Sequence, residues 1–242
     1  MCGRYTSTST IADLASVFEV DEVRTEPLPL RWNVAPSVPV YAVALSKKDP
    51  EKGPHRVLGT FRWGLVPSWA KDPKTGNKMI NARAEGIVSK PSYRAAIARR
   101  RCLIPADEFY EWQRRTASDG RPAGKLPYAF RRRDGAPMAL AGIWEVWRDP
   151  SDPDAELLRT CAIITTGANE LMEPIHDRMP VVLESSDWEA WLDPGTGMEV
   201  VEGLMVPAAP SILEAWPVSS QVNKVTNEGP QLLDRLPDPP GA

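Results

Sequence analysis

The chain has 242 residues, 42% of them hydrophobic and 25% charged, with a formal net charge of −3. That balance is ordinary for a globular chain able to build a core without metal or disulfide staples, and no apolar run reaches the ~18 residues a membrane span requires. The first twenty residues lack the basic-then-apolar order of a secretory signal, and Cys2, Cys102 and Cys161 are an odd set without CxxC spacing, which argues against a disulfide framework and against zinc.

Residues 10–18 place apolar side chains at i, i+3, i+4 and i+7 behind a capping-box pair, Thr10 and Asp13, and predict a short helix. Strands are predicted at 38–45 and 58–66, the second stopped by Pro67. A helix follows at 92–101, behind Pro91. Further strands are predicted at 102–105, 109–113, 128–132, 138–147 and 160–166, and a short helix at 186–192 with Ser186 as its cap. The 25 prolines and 16 glycines fall at most junctions, so the elements are short. The class expected is α+β: a curved, mostly antiparallel β-sheet or pseudo-barrel core with a few peripheral helices. One domain is expected over residues 1–232, with a disordered tail over 233–242. The reduced cysteines point to a cytoplasmic protein; a monomer without membrane, metal or cofactor is expected.

Charge is unevenly distributed. Residues 83–133 carry 13 Lys and Arg against 5 Asp and Glu, whereas residues 134–242 carry 5 against 19. A groove for phosphates and an ordinary solvated face both fit this pattern. The Arg99–Arg101 and Arg131–Arg133 clusters are open to both readings.

The chain opens Met-Cys-Gly. A small second residue permits removal of Met1, which would leave Cys2 with a free amine and a thiol on adjacent carbons. The unperturbed groups titrate near ~8 and ~8.5, so both supply a nucleophilic fraction at neutral pH. Such an aminothiol condenses with an aldehyde to an imine, and the thiol then closes a five-membered thiazolidine. A cysteine elsewhere could form only a reversible hemithioacetal. An incidental buried cysteine and the acyl-enzyme nucleophile of a glutamine amidotransferase are the competing readings at this point.

Seven blocks occur in order: MCGRYT at 1–6, RWNVAP at 31–36, WGLVPSWA at 63–70, INARAE at 80–85, RCLIPADEFYEW at 101–112, IHDRMP at 175–180 and VNKVTNEGP at 222–230. Together they resemble the SRAP family (SOS response-associated peptidase), also called abasic site processing proteins, over nearly the whole chain. The HRG-type and NGE-type blocks of an amidotransferase are absent. The resemblance implies that Cys2 captures the ring-opened aldehyde of an abasic site in single-stranded DNA as a covalent thiazolidine crosslink. It implies that Asn81 orients the terminal amine or thiol, that Glu111 manages protons at the amine, and that His176 acts as general acid and base on the sugar hydroxyl.

Elementary chemistry is consistent with these roles. Histidine titrates near ~6.5 and can give and take a proton in one cycle. His55, the other histidine, lies in a Gly-Pro-rich loop and is expected to be exposed. Strand alternation puts Phe109, Glu111 and Gln113 on one face and Tyr110 and Trp112 on the other. A carboxylate beside Phe109 needs a partner or a raised pKa. By resemblance, Arg83 and Arg178 clasp phosphates, with Arg4 a third cation and Asn33 lining the pocket. Trp69 reads either as a platform for a neighbouring base or as a core tryptophan, and the resemblance implies that Tyr93 is a stacking aromatic beside the lesion. Binding should weaken steeply with salt and show little base preference. A self-processing peptidase or amidase without a DNA role, a plain single-stranded DNA-binding module and a weak lyase are the alternative activities.

Overall fold

The computed structural model describes residues 2–47, 51–116, 120–152 and 154–237. In chain order the elements are β1 (Tyr5–Ser7), α1 (Ile11–Val17), β2 (Glu22–Val23), β3 (Arg31–Val34), β4 (Pro39–Ser46), β5 (His55–Trp63), β6 (Asn81–Arg83) and α2 (Arg94–Arg99). There follow β7 (Arg101–Ala106), β8 (Glu108–Thr116), β9 (Pro122–Arg132), β10 (Met138–Trp147), β11 (Leu158–Gly167), β12 (Arg178–Pro180) and β13 (Val182–Leu183). The chain closes with α3 (Trp188–Leu192), α4 (Met198–Gly203) and β14 (Leu213–Pro217). Thr10 caps α1 and Asp13 returns the bond, as the spacing predicts. Ser186 does not cap α3; it lies in a 3-10 turn that runs into the helix.

Two sheets form. The smaller has the order β14-β9-β8-β1-β3, and the larger runs β12-β11-β10-β7-β4-β5-β2. In the larger sheet β5 also pairs with β11 in parallel, through Thr160↔Arg62 and Cys161↔Trp63, so the sheet curls onto itself. Nearly all other pairings are antiparallel, in keeping with the pseudo-barrel expectation. Alternation along the long strands divides the apolar residues between two cores. Val40, Ala42, Phe61, Trp63, Cys102, Ile104, Cys161 and Ile163 face the smaller sheet, where Cys2, Tyr5, Phe109 and Phe130 meet them. Tyr41, Val43, Leu58, Leu103, Ala141 and Ile164 face outward and are covered by the helices through Leu14, Phe18, Ile97, Trp188 and Trp191.

Three expectations need correction. His55 is not exposed: it is 6% accessible, with Nδ1 at 2.8 Å from the Gly53 carbonyl and Nε2 at 3.2 Å from Glu22. It begins β5, and pairing with β4 carries it inward. Arg101 is not part of a solvated cluster; it is buried and donates to the carbonyls of Ile97, Ala98, Trp191 and Asp193. The tail does not come loose at 233. Leu233 accepts a bond from Trp216 Nε1 at 2.8 Å, and Leu236 N–H donates to Pro217 at 2.9 Å. Apolar contact with Trp216 outweighs the proline-rich composition there, and residues 238–242 lie outside the described residues.

Candidate active site

The N-terminal strand sets the position of Cys2. Tyr5 pairs with Val34 on one side and Phe109 on the other. Arg4 accepts at its carbonyl from Tyr110 N–H at 3.0 Å. Continuing this antiparallel register carries Cys2 and Gly3 alongside Glu111 and Trp112. The corner after β1 is clamped by Asp107, which accepts from Thr8 N–H at 2.6 Å and Ser9 N–H at 3.0 Å. Thr6 adds a side-chain bond to Glu108. Cys2 is fully buried between the sheets. Burial first, and the nearby Glu111 carboxylate second, push its thiol far above the ordinary range.

Asn81 arrives from the opposite sheet. β6 pairs in parallel with β11, Ile163↔Asn81 and Thr165↔Arg83, so Asn81 and Arg83 share a face while Ala82 enters the outer core. Asn81 Nδ2 donates to the Cys2 carbonyl at 2.8 Å. Its Oδ1 is buried and makes no hydrogen bond among the described residues, and the same holds for Thr165 Oγ1. Buried polar atoms are nearly always satisfied, so Asn81, already bonded to Cys2, keeps an unused acceptor and Thr165, two residues along β11 from Asn81's partner Ile163, an unused hydroxyl. Thr165 was not singled out in the sequence, where it is one more threonine in an apolar strand.

Glu111 lies on β8 with Phe109 on the core side, while Tyr110 and Trp112 join a third cluster with Trp216. It is 2% accessible. His176 Nε2 stands 3.9 Å from Glu111 Oε2. The Arg178 backbone N–H donates to His176 Nδ1 at 3.0 Å, which puts the proton of a neutral ring on Nε2, facing Glu111. Asp177 Oδ1 lies 2.9 Å from the same Nδ1. These two contacts exclude each other: the amide requires a bare Nδ1, the carboxylate a protonated one. Nδ1 therefore has a partner whether it is bare or carries a proton.

The cations and aromatics divide between solvent and scaffold. Arg83 is exposed. Arg178 is mostly buried and forked onto Glu85. Arg4 and Asn33 clasp the late block of the sequence: Arg4 donates to Asn33 Oδ1 and the Val222 carbonyl, both at 2.8 Å, and Asn33 Nδ2 reaches the carbonyls of Val222, Lys224 and Asn227 at 3.1–3.2 Å. Arg4 still borders a shallow cleft of about 320 Å³ with Trp112, Lys125 and Asn223, whereas Asn33 is buried beneath it. Trp69 is 65% exposed, alone in that class among the described tryptophans. Tyr93 is half-buried; its hydroxyl donates to the Asn81 carbonyl at 3.3 Å, so it supports Asn81 from behind. Among the described residues no group of three or more His, Cys, Asp or Glu gathers as a metal site. No helix of the described residues is long and apolar enough to cross a membrane.

A family model described as SOS response associated peptidase (SRAP) matches residues 1–225. Abasic site processing protein YoqW of Bacillus subtilis (strain 168) is 41% identical over 236 residues, covering 97% of this chain and 99% of the relative. Abasic site processing protein HMCES of Gallus gallus is 35% identical over 217 residues, covering 79% and 62% respectively. A solved structure of a protein from Bacteroides thetaiotaomicron superposes with a TM-score of 0.81 at 23% identity, covering 97% of this chain and 100% of the other, and speaks to the fold alone.

Proposed function

The chain belongs to the SOS response associated peptidase (SRAP) family, and from that premise we propose that it processes abasic sites by capturing them covalently on Cys2 in single-stranded DNA. The observation that carries this reading is the convergence of Asn81, Glu111 and His176 on the first residues of the chain. A side-chain nucleophile would not need its own backbone carbonyl held by Asn81; a reacting terminus does. Loss of Met1, which lies outside the described residues, exposes the amine beside the open Asn81 Oδ1.

The steps follow from the groups present. In the tautomer whose Nδ1–H faces Asp177, the bare Nε2 of His176 takes the proton of the sugar hydroxyl and returns it to the ring oxygen as the C–O bond breaks and the aldehyde forms. The Cys2 amine attacks the aldehyde carbon, and Glu111 carries protons while water leaves and the imine forms. The thiol then adds across the C=N bond: its sulfur bonds to carbon, and its proton passes to nitrogen. The product is the thiazolidine. The raised thiol pKa makes that proton transfer a step requiring a base, and the Glu111 carboxylate is the charged neighbour that raises it beyond burial. β-Elimination from the imine would cut the strand, and ring closure competes with it, so lyase activity is expected to be weak. Arg83, Arg178 and Arg4 supply phosphate contacts, and exposed Trp69 offers a face for a neighbouring base.

The test is a denaturing gel and intact mass after incubation with an abasic oligonucleotide. The expected result is a heat-stable adduct at the mass of protein without Met1 plus DNA minus water, absent in Cys2→Ala. Absence of adduct from protein with a verified Cys2 terminus sinks the reading. A peptidase restricted to its own terminus would lose Met1 and give no adduct.

A further inference from the structure

Arg178 is a firmly held cation at the site, and a carboxylate already occupies its donor edge. Its Nη1 and Nη2 donate to the two oxygens of Glu85 at 2.6 and 2.8 Å. Nη2 also donates to the Thr165 carbonyl at 2.6 Å, and that carbonyl accepts from Ala84 N–H at 2.9 Å. The segment leaving β6 and the arginine on β12 thus share one anchor. The arginine side chain is 14% accessible and the glutamate 61%, so the fork is fixed and the carboxylate is the partner able to leave. Two parallel N–H groups donate to two phosphate oxygens in the same geometry as to two carboxylate oxygens. The Arg178 bond holds the Glu85 carboxyl below its ordinary range, so it is ionised at neutral pH.

Resting on the reading that Arg178 contacts phosphate, we propose that Glu85 is a built-in phosphate mimic that occupies the Arg178 fork until a DNA backbone displaces it. The glutamate keeps the guanidinium aimed and paired in the DNA-free protein. It also sets a threshold: a strand held by phosphates alone must give up part of its gain to displace Glu85, whereas a strand captured through its aldehyde is retained regardless. The freed carboxylate recruits a cation from solution, which offsets the counterions released by the incoming phosphate.

The experiment measures anisotropy of an undamaged single-stranded oligonucleotide across a salt series. Glu85→Gln is expected to tighten binding by about two- to fivefold at low salt, within the range of a partly exposed ion pair. It should steepen the log K against log salt slope by up to ~0.7, one single-strand phosphate. Glu85→Ala should act in the same direction. In an Arg178→Gln background the gain should vanish, because no fork remains to be freed. Unchanged affinity for Glu85→Gln overturns the proposal. So does an equal gain with Arg178 removed, which would mark a general charge effect. If wild-type protein forms the abasic adduct but the Glu85 variants behave like wild type, this inference fails alone; if wild type neither binds nor forms an adduct, both fail.

Discussion

At the residue scale, Glu111 and Asn33 mark the two limits of what the sequence discloses. The environment of Glu111 follows from local rules: in a strand, residue 111 must share a face with Phe109, and it does. Asn33 was expected in the pocket and is instead a buried clasp on residues 222–227. Nothing local announces that, because its acceptors lie nearly 200 positions away. His55 and Arg101 were misjudged in part for the same reason: Glu22, which meets His55, and the carbonyls of Trp191 and Asp193, which meet Arg101, come from distant parts of the chain. Asn33→Ala should cost about 2–3 kcal/mol, the penalty of leaving buried carbonyls without donors, measured by urea unfolding. Asn33→Asp, which cannot donate, should be no better. The Cys2 thiol gives a second expectation at this scale. Burial and Glu111 raise its pKa, so less thiolate is present at any pH than in a free thiol. Its alkylation rate, followed by mass, should keep rising about tenfold per pH unit past 9, where an unperturbed thiol levels off near ~8.5.

At the element scale, the long strands were legible and the short ones were not. Met138–Trp147 is observed at the bounds expected from its apolar run. β1, β3, β6 and β12 hold three or four residues each, too few to show a period, and they carry or flank most of the site. Their placement depends on partners and on backbone approach. The path between β5 and β6 illustrates this. Gly64 has φ +128°, and its Cβ position lies 2.6 Å from the Gly76 carbonyl oxygen. Trp63 Nε1 donates to Ile80 at 3.0 Å, and Leu65 N–H to Met79 at 3.0 Å. The two glycines thus let the chain fold back on itself and deliver Asn81 to Cys2. Gly64→Ala combines a disfavoured φ with a backbone clash, and should cost about 2–4 kcal/mol. Adduct formation should fall with it, read by thermal melting alongside the denaturing gel.

At the scale of the whole molecule, three arginines of the basic middle pair with the acidic remainder of the chain. Arg100 pairs with Glu145 at 2.6 Å, Arg131 with Glu214 at 2.6 Å, and Arg132 with Asp134 and Glu184 at 2.8 and 3.0 Å. The composition shows the asymmetry but not these ion pairs; that of Arg131 with Glu214 needs the pairing of β9 with β14. On the proposed function, these arginines are already spent on carboxylates, so the salt dependence of DNA binding should correspond to fewer phosphates than the full basic count. The clasp from Arg4 and Asn33 to residues 222–227 joins positions up to 219 apart in sequence. This has a consequence for synthesis. Cys2 is made long before residues 222–227, so a growing chain holds Arg4 and Asn33 without the carbonyls that fix them. On the proposed function, capture at Cys2 in its assembled site therefore awaits synthesis of that distant segment.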